Sequence, residues 1–172
     1  MSNVGPEGRS FKKLERSHLQ QLARIAAVDR RVFFSRRPDW GRYYAGRVIA
    51  TALCQGAALH YLHPRGRIGI NDFDVYTFYS AHPKKRWYAK RLQSADFEDS
   101  TFGRSADRPE FVGRRVDLMG RGIDVRPGED PADAIRRWLT GSNTGSPALL
   151  RKKAVILLEP KRRLGEVVWP NV

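Results

Sequence analysis

Apolar positions along the chain follow two different periods. In "SFKKLERSHLQQLARIAAVDRRVFF" the residues Leu22, Ile25, Ala26, Val32 and Phe33 recur at helical spacing, which predicts a long amphipathic helix. Pro38 and Gly41 break it. Tyr44 to Cys54 is then apolar enough for a second buried element, a helix passing into a strand that ends at Gly56. "AALHYL" reads as a short helix and "HPRGRIGIN" as a turn-rich connection. From Asp72 to Ser80 the pattern turns to β-branched and aromatic residues, as in a strand. The charged stretch that follows, up to Gly113, reads as loop or helix, and "RRVDLMG" as another short strand. "GEDPADAIRRWLTGS" opens with acidic residues and Pro131 and ends on glycine, as a helix should. Ser146 and Pro147 would start a further helix, "AVILLEP" is a closing strand, and "LGEVVWPNV" a basic-flanked tail.

This alternation predicts an α/β (α+β) fold: a mixed sheet of about four to five strands with helices on one side and the other face open. Residues 1–9 read as a disordered tail and 10–172 as a single domain, and at 172 residues with 41% hydrophobic content the chain can bury a real core. No window reaches the roughly 18 apolar residues of a membrane span, and the N-terminus lacks the apolar region of a secretory signal, so a cytoplasmic location is expected. Cys54 is the sole cysteine; it excludes an intrachain disulfide and a Cys-rich zinc site, and reads as small core filling.

Within the strand "DFDVYTFYS" the residues Asp72 and Asp74 are out of place. Residues two apart on a strand share a face, so the two carboxylates project side by side while Phe73, Val75, Thr77 and Tyr79 face the other way. Two ionised carboxylates on apolar sequence need a compensating cation or hydrogen bonds. Asp117, between Val116 and Leu118, becomes a third if its strand pairs beside the first; Asp124 in "GIDV" is the alternative third carboxylate. Such a set suits Mg²⁺ or Mn²⁺, hard cations that accept carboxylate oxygens and complete their shells with water and phosphate. The bland alternative is a carboxylate pair neutralised by nearby arginine. Ahead of the pair, Gly56 opens a short helix whose backbone N–H groups could cradle phosphates opposite the carboxylates.

The net charge of +14 adds a polyanion to the picture. The excess sits at the ends, +7 over residues 1–50 and +4 over 151–172, and arginine outnumbers lysine 24 to 8, which suits bidentate phosphate contacts. In "HPKKRWYAKR" basic residues alternate with aromatics, so Lys84, Lys85, Arg86 and Trp87 are candidates for nucleic-acid contact by phosphate pairing and base stacking; a basic helix with an aromatic anchor in the core is the competing reading. His60 and His63 read as one core and one surface histidine rather than zinc ligands.

An apolar element, Gly56, a short helix, then Asp72 and Asp74 and a later strand carrying Asp117 resemble the nucleotidyltransferase fold of the DNA polymerase beta superfamily, in a minimal single-domain form. The resemblance covers about Tyr44 to Met119. It implies transfer of a nucleoside monophosphate from a nucleoside triphosphate such as ATP to an acceptor such as RNA. It also implies Asp72, Asp74 and Asp117 as metal-binding catalytic residues, Gly56 and Ala57 as nucleotide-binding positions, and Mg²⁺ or Mn²⁺ as cofactor. Where that family carries a small hydroxyl or a second glycine, this chain has Ala57, which leaves only backbone N–H contacts to the phosphates. A catalytically silent nucleic-acid-binding module on the same fold is the alternative, and the small size of the chain leaves room for a protein partner.

Overall fold

Leu19, Leu22 and Ala26 lie three and four residues apart, and this stripe seats the helix α1 (Arg16–Arg36) on the core. A computed structural model gives the structure; it describes residues 8–87 and 92–170. Residues 1–7 of the expected tail, and the part of the basic aromatic segment from 88 to 91, lie outside the described residues. The N-terminus of α1 is closed by a reciprocal pair, with the Glu15 backbone N–H donating to His18 Nδ1 at 2.8 Å and the Glu15 side chain accepting from the His18 backbone. The apolar stripe does not stay buried to the end: Val32 is 40% exposed.

Pro38 does more than break α1. It occupies the first turn of a second helix, α2 (Pro38–Tyr44), where its missing N–H costs nothing. Strand β1 (Val48–Cys54) follows, then helix α3 (Gln55–Leu62), strand β2 (Phe73–Ser80), strand β3 (Gln93–Asp96) and strand β4 (Arg115–Ile123). Helix α4 (Pro131–Thr140), helix α5 (Gly145–Leu150), strand β5 (Val155–Glu159) and strand β6 (Val167–Trp169) complete the order. The sheet runs β3-β4-β2-β1-β5-β6, with β2 and β4 parallel and the other neighbours antiparallel.

The mixed α/β sheet is therefore as expected, with six strands among the described residues rather than four or five. The extra strands lie at its two edges. Both are short, and β6 forms inside the segment that reads as a tail because Val167 and Trp169 pair with Ile156 and Val155. Helices also cover both faces instead of one. Leu53, Phe73, Val75, Val116, Ile156 and Leu158 meet α1 and α3 in one core, while Ala52, Cys54, Tyr76, Phe78, Val155 and Leu157 meet α4 and α5 in another. Strict alternation along β1, β2 and β5 supplies each face with its own apolar set, so a sheet open on one side would leave the second set in water. Among the described residues no helix is long and apolar enough to cross a membrane.

Gly120 and Gly122 lie within β4, whose parallel register with β2 runs unbroken from Phe73↔Val116 to Ser80↔Ile123. They form no bulge. They clear space for Trp87: a Cβ on Gly120 would sit 2.6 Å from the Trp87 ring, and one on Gly122 3.0 Å from its Cβ. That ring is stacked on Tyr79, centroids 4.5 Å apart, and edged by Phe33, Trp40 and Tyr44, so it has no room to retreat. Gly120→Ala is expected to cost about 1–3 kcal/mol through overpacking. Chemical denaturation measures it, and an unchanged midpoint would show that Trp87 is not held against the strand.

Candidate metal centre

The register of two strands builds the centre. In the parallel β2–β4 ladder Asp74 is the partner of Asp117, so both side chains leave the sheet side by side on the face that carries Cys54 and Tyr76. Asp72, two residues ahead of Asp74 and immediately before β2, joins them. Carboxylate oxygens of the three residues all lie within 4.8 Å of one another. Asp117 is the third carboxylate, and Asp124 is not: it sits beyond the far end of β4, exposed, with Arg137 Nη1 3.6 Å away.

Each carboxylate has a different environment. Asp117 is 9% exposed and accepts a hydrogen bond from the Ser94 hydroxyl at 3.1 Å, across the β3–β4 pair. Its pKa is raised, first by burial and then by Asp72, against the pull of Arg115 and Ser94. Asp72 is bound by Arg115, Nη2 to Oδ2 at 2.8 Å. The Asp74 side chain has no hydrogen bond or ion pair within the described residues. Burial, and then the charges of Asp72 and Asp117, push its carboxyl up to about 7; Arg115 and Lys153 oppose this only in part. A half-buried carboxylate that holds a proton near neutrality, between two more, lacks positive charge. Hard divalent cations suit this set of carboxylate oxygens, which would draw closer on sharing one ion, since neighbouring ligands at about 2.1 Å from it lie about 3 Å apart.

Gly56 lies in the first turn of α3, two residues beyond Cys54, the cross-strand partner of Asp74. Gln55 between them takes a positive φ of 62°, a strained turn for a non-glycine residue that swings the chain from strand into helix. No side chain caps this helix end. The Ala57 side chain points away, into the core against α1, so a hydroxyl there would meet apolar neighbours and not the carboxylates. Lys153 is exposed beside Gly56: its Nζ is 3.7 Å from where a Gly56 Cβ would stand.

Other basic residues are placed differently. Arg114 is 1% exposed and donates to the carbonyls of Phe102 (2.7 Å), Asn71 (3.4 Å) and Gly8, so it braces loops and is closed to phosphate. Lys84, Lys85, Arg86 and Trp87 follow the opposite end of β2 from Asp72, six residues beyond Asp74 or about 20 Å along the strand. There Lys84 and Arg86 are exposed, Lys85 lies over the Trp40 ring at 4.8 Å, and Trp87 is committed to packing. His60 is buried, its Nε2 2.9 Å from the Lys12 carbonyl, and His63 is exposed. A pocket of about 250 Å³ opens beside Asp72, walled by Asn71, Arg104, Ser105 and Arg114. Two larger grooves, of about 400 and 500 Å³, run along α1 and are lined by none of the three carboxylates.

The raised pKa of Asp74 has a definite sign. Between pH 4 and about 7 the folded chain keeps a proton that the unfolded chain has lost, so this group makes stability fall as pH rises through that window. Metal-free Asp74→Asn should match the wild type near pH 4 and become progressively more stable than it toward pH 7. Thermal melts across that range check this; a variant less stable at pH 7 would mean that the ionised carboxylate has a stabilising partner. Comparison of the chain with protein-family models, with curated proteins and with solved structures returned no match, so the chemistry of the centre is read from its own atoms.

Proposed function

We propose that the chain is a divalent-cation-dependent nucleotidyltransferase, moving a nucleoside monophosphate from a nucleoside triphosphate to an acceptor, with RNA favoured. The observation that carries this reading is Asp74, a carboxylate with no hydrogen bond or ion pair among the described residues, beside Asp72 and Asp117 and directly across from the strand that leads into the uncapped α3 helix. Asp72 and Asp74 would hold two cations, with Asp117 completing the one nearer the acceptor. Bound there, Mg²⁺ or Mn²⁺ would polarise the α-phosphoryl group and lower the pKa of the attacking hydroxyl. Gly56 and Ala57 would offer backbone N–H groups to the β- and γ-phosphates at the positive end of α3, and Lys153 a charge beside them. Ser94 would hold Asp117 in orientation through its hydrogen bond. The acceptor hydroxyl would give its proton to water, its oxygen would bond to the α-phosphorus as the bond from that phosphorus to the α,β-bridging oxygen breaks, and pyrophosphate would leave.

A second reading has its own support. Arg115 already bridges Asp72 and Asp117 without a bound ion, as suits a silent nucleic-acid-binding module. In either reading the nucleic acid would meet exposed Lys84 and Arg86 by phosphate contact, without stacking on Trp87.

Incubation with each labelled nucleoside triphosphate, Mg²⁺ or Mn²⁺ and total cellular RNA separates the two. The enzyme reading expects label transfer, reduced at least a hundredfold by Asp74→Asn in a protein that remains folded. RNA binding with no transfer from any nucleotide would leave the silent module.

A further inference from the structure

Arg115 stands where an incoming cation has to go. It rises from β4 two residues before Asp117 and on the same face, and its guanidinium touches three carboxylates at once. Nη2 is 2.8 Å from Asp72 Oδ2, Nε is 3.1 Å from Asp117 Oδ1, and Nη1 meets Asp107. Two of these are the metal ligands assigned above. The third, Asp107, lies outside the trio with its side chain 57% exposed.

The fit of this arginine is partial. A planar fork with a single charge leaves Asp74 unserved, and Nε–H is buried without an aligned hydrogen-bond acceptor despite its closeness to Asp117. The Ser94 hydroxyl already donates to that same Asp117 oxygen. A divalent ion would bring twice the charge and could be reached by all three carboxylates, yet it cannot share the space between Asp72 and Asp117 with the guanidinium.

Resting on the metal-centre reading, we propose that Arg115 is a displaceable counter-cation, which bridges Asp72 and Asp117 while the centre is empty and withdraws onto Asp107 when a divalent ion enters. Metal affinity is then set by a competition inside the protein. Asp107 offers both of its oxygens to the departing guanidinium, so the arginine exchanges one set of carboxylates for another instead of being released into water. While the centre is empty, the guanidinium offsets part of the repulsion between Asp72 and Asp117.

Mn²⁺ binding at fixed pH and salt, measured by isothermal titration calorimetry, tests this with two variants. Arg115→Gln should bind Mn²⁺ at least tenfold tighter than the wild type, and its metal-free form should melt at a lower temperature. Arg115→Lys keeps the charge of the site but cannot span two carboxylates, so it should bind severalfold tighter, an increase that an altered field cannot explain. Equal affinities of wild type and Arg115→Lys overturn the displacement and leave the metal centre standing, as does weaker binding in either variant. Absence of Mn²⁺ binding in wild type and both variants removes the metal centre itself, and the displacement with it. Should Arg115→Gln fail to fold, Arg115→Lys decides alone by the same outcomes.

Discussion

Two strands that run parallel in register cannot keep Asp74 and Asp117 apart, because the ladder that pairs their backbones sets their side chains next to one another on one face. Moving either by one residue would turn it into the apolar core on the other side of the sheet. The rest of the ladder resists such a slip: Val75, Val116 and Leu118 are buried against α1 and α3, while Tyr76 faces α4 and α5. Asp72 is fixed by the same strand, two residues ahead. The packing of both cores thus holds three negative charges together, whatever those charges cost one another.

That cost is visible in how the charges are met. Arg115 reaches two members of the trio, Ser94 steadies one, and Asp74 is left to hold a proton near neutrality. Other carboxylates among the described residues have an arginine in hand: Glu129 is bound by Arg137, and Asp130 both caps α4 and pairs with Arg163. The shortage at the trio is local, in a protein whose net charge is +14. A fold that needed only a quiet acidic cluster had arginines enough to supply one.

Much of the centre was legible because strand alternation is strict. The apolar positions of "DFDVYTFY" fix which way Asp72 and Asp74 point, and Val116 and Leu118 do the same for Asp117. Choosing Asp117 over Asp124 needed only the regular segment before the glycines, although the glycines proved to serve Trp87 and not a bulge. Other features had no local signal. β3 is "QSAD", four residues with one apolar side chain, and it becomes a strand through its pairing with β4. β6 depends likewise on β5. Trp87 sits in a basic run typical of nucleic-acid contact, and only the aromatic cluster of Tyr44, Tyr79 and Trp40 claims it for the core. Lys153 reads as part of a basic surface, and sequence cannot single out Arg115 among several basic candidates for the site; only their contacts in the fold place both there.

The central claim is that the trio of aspartates is a cation site set by the β2–β4 register. Anomalous scattering from crystals grown with Mn²⁺ addresses it most directly. The account predicts one or two strong peaks, each about 2.1 Å from oxygens of Asp72, Asp74 or Asp117, with the Arg115 guanidinium no longer between Asp72 and Asp117. Crystals in which Mn²⁺ binds elsewhere, while Arg115 still bridges those two carboxylates, would contradict it.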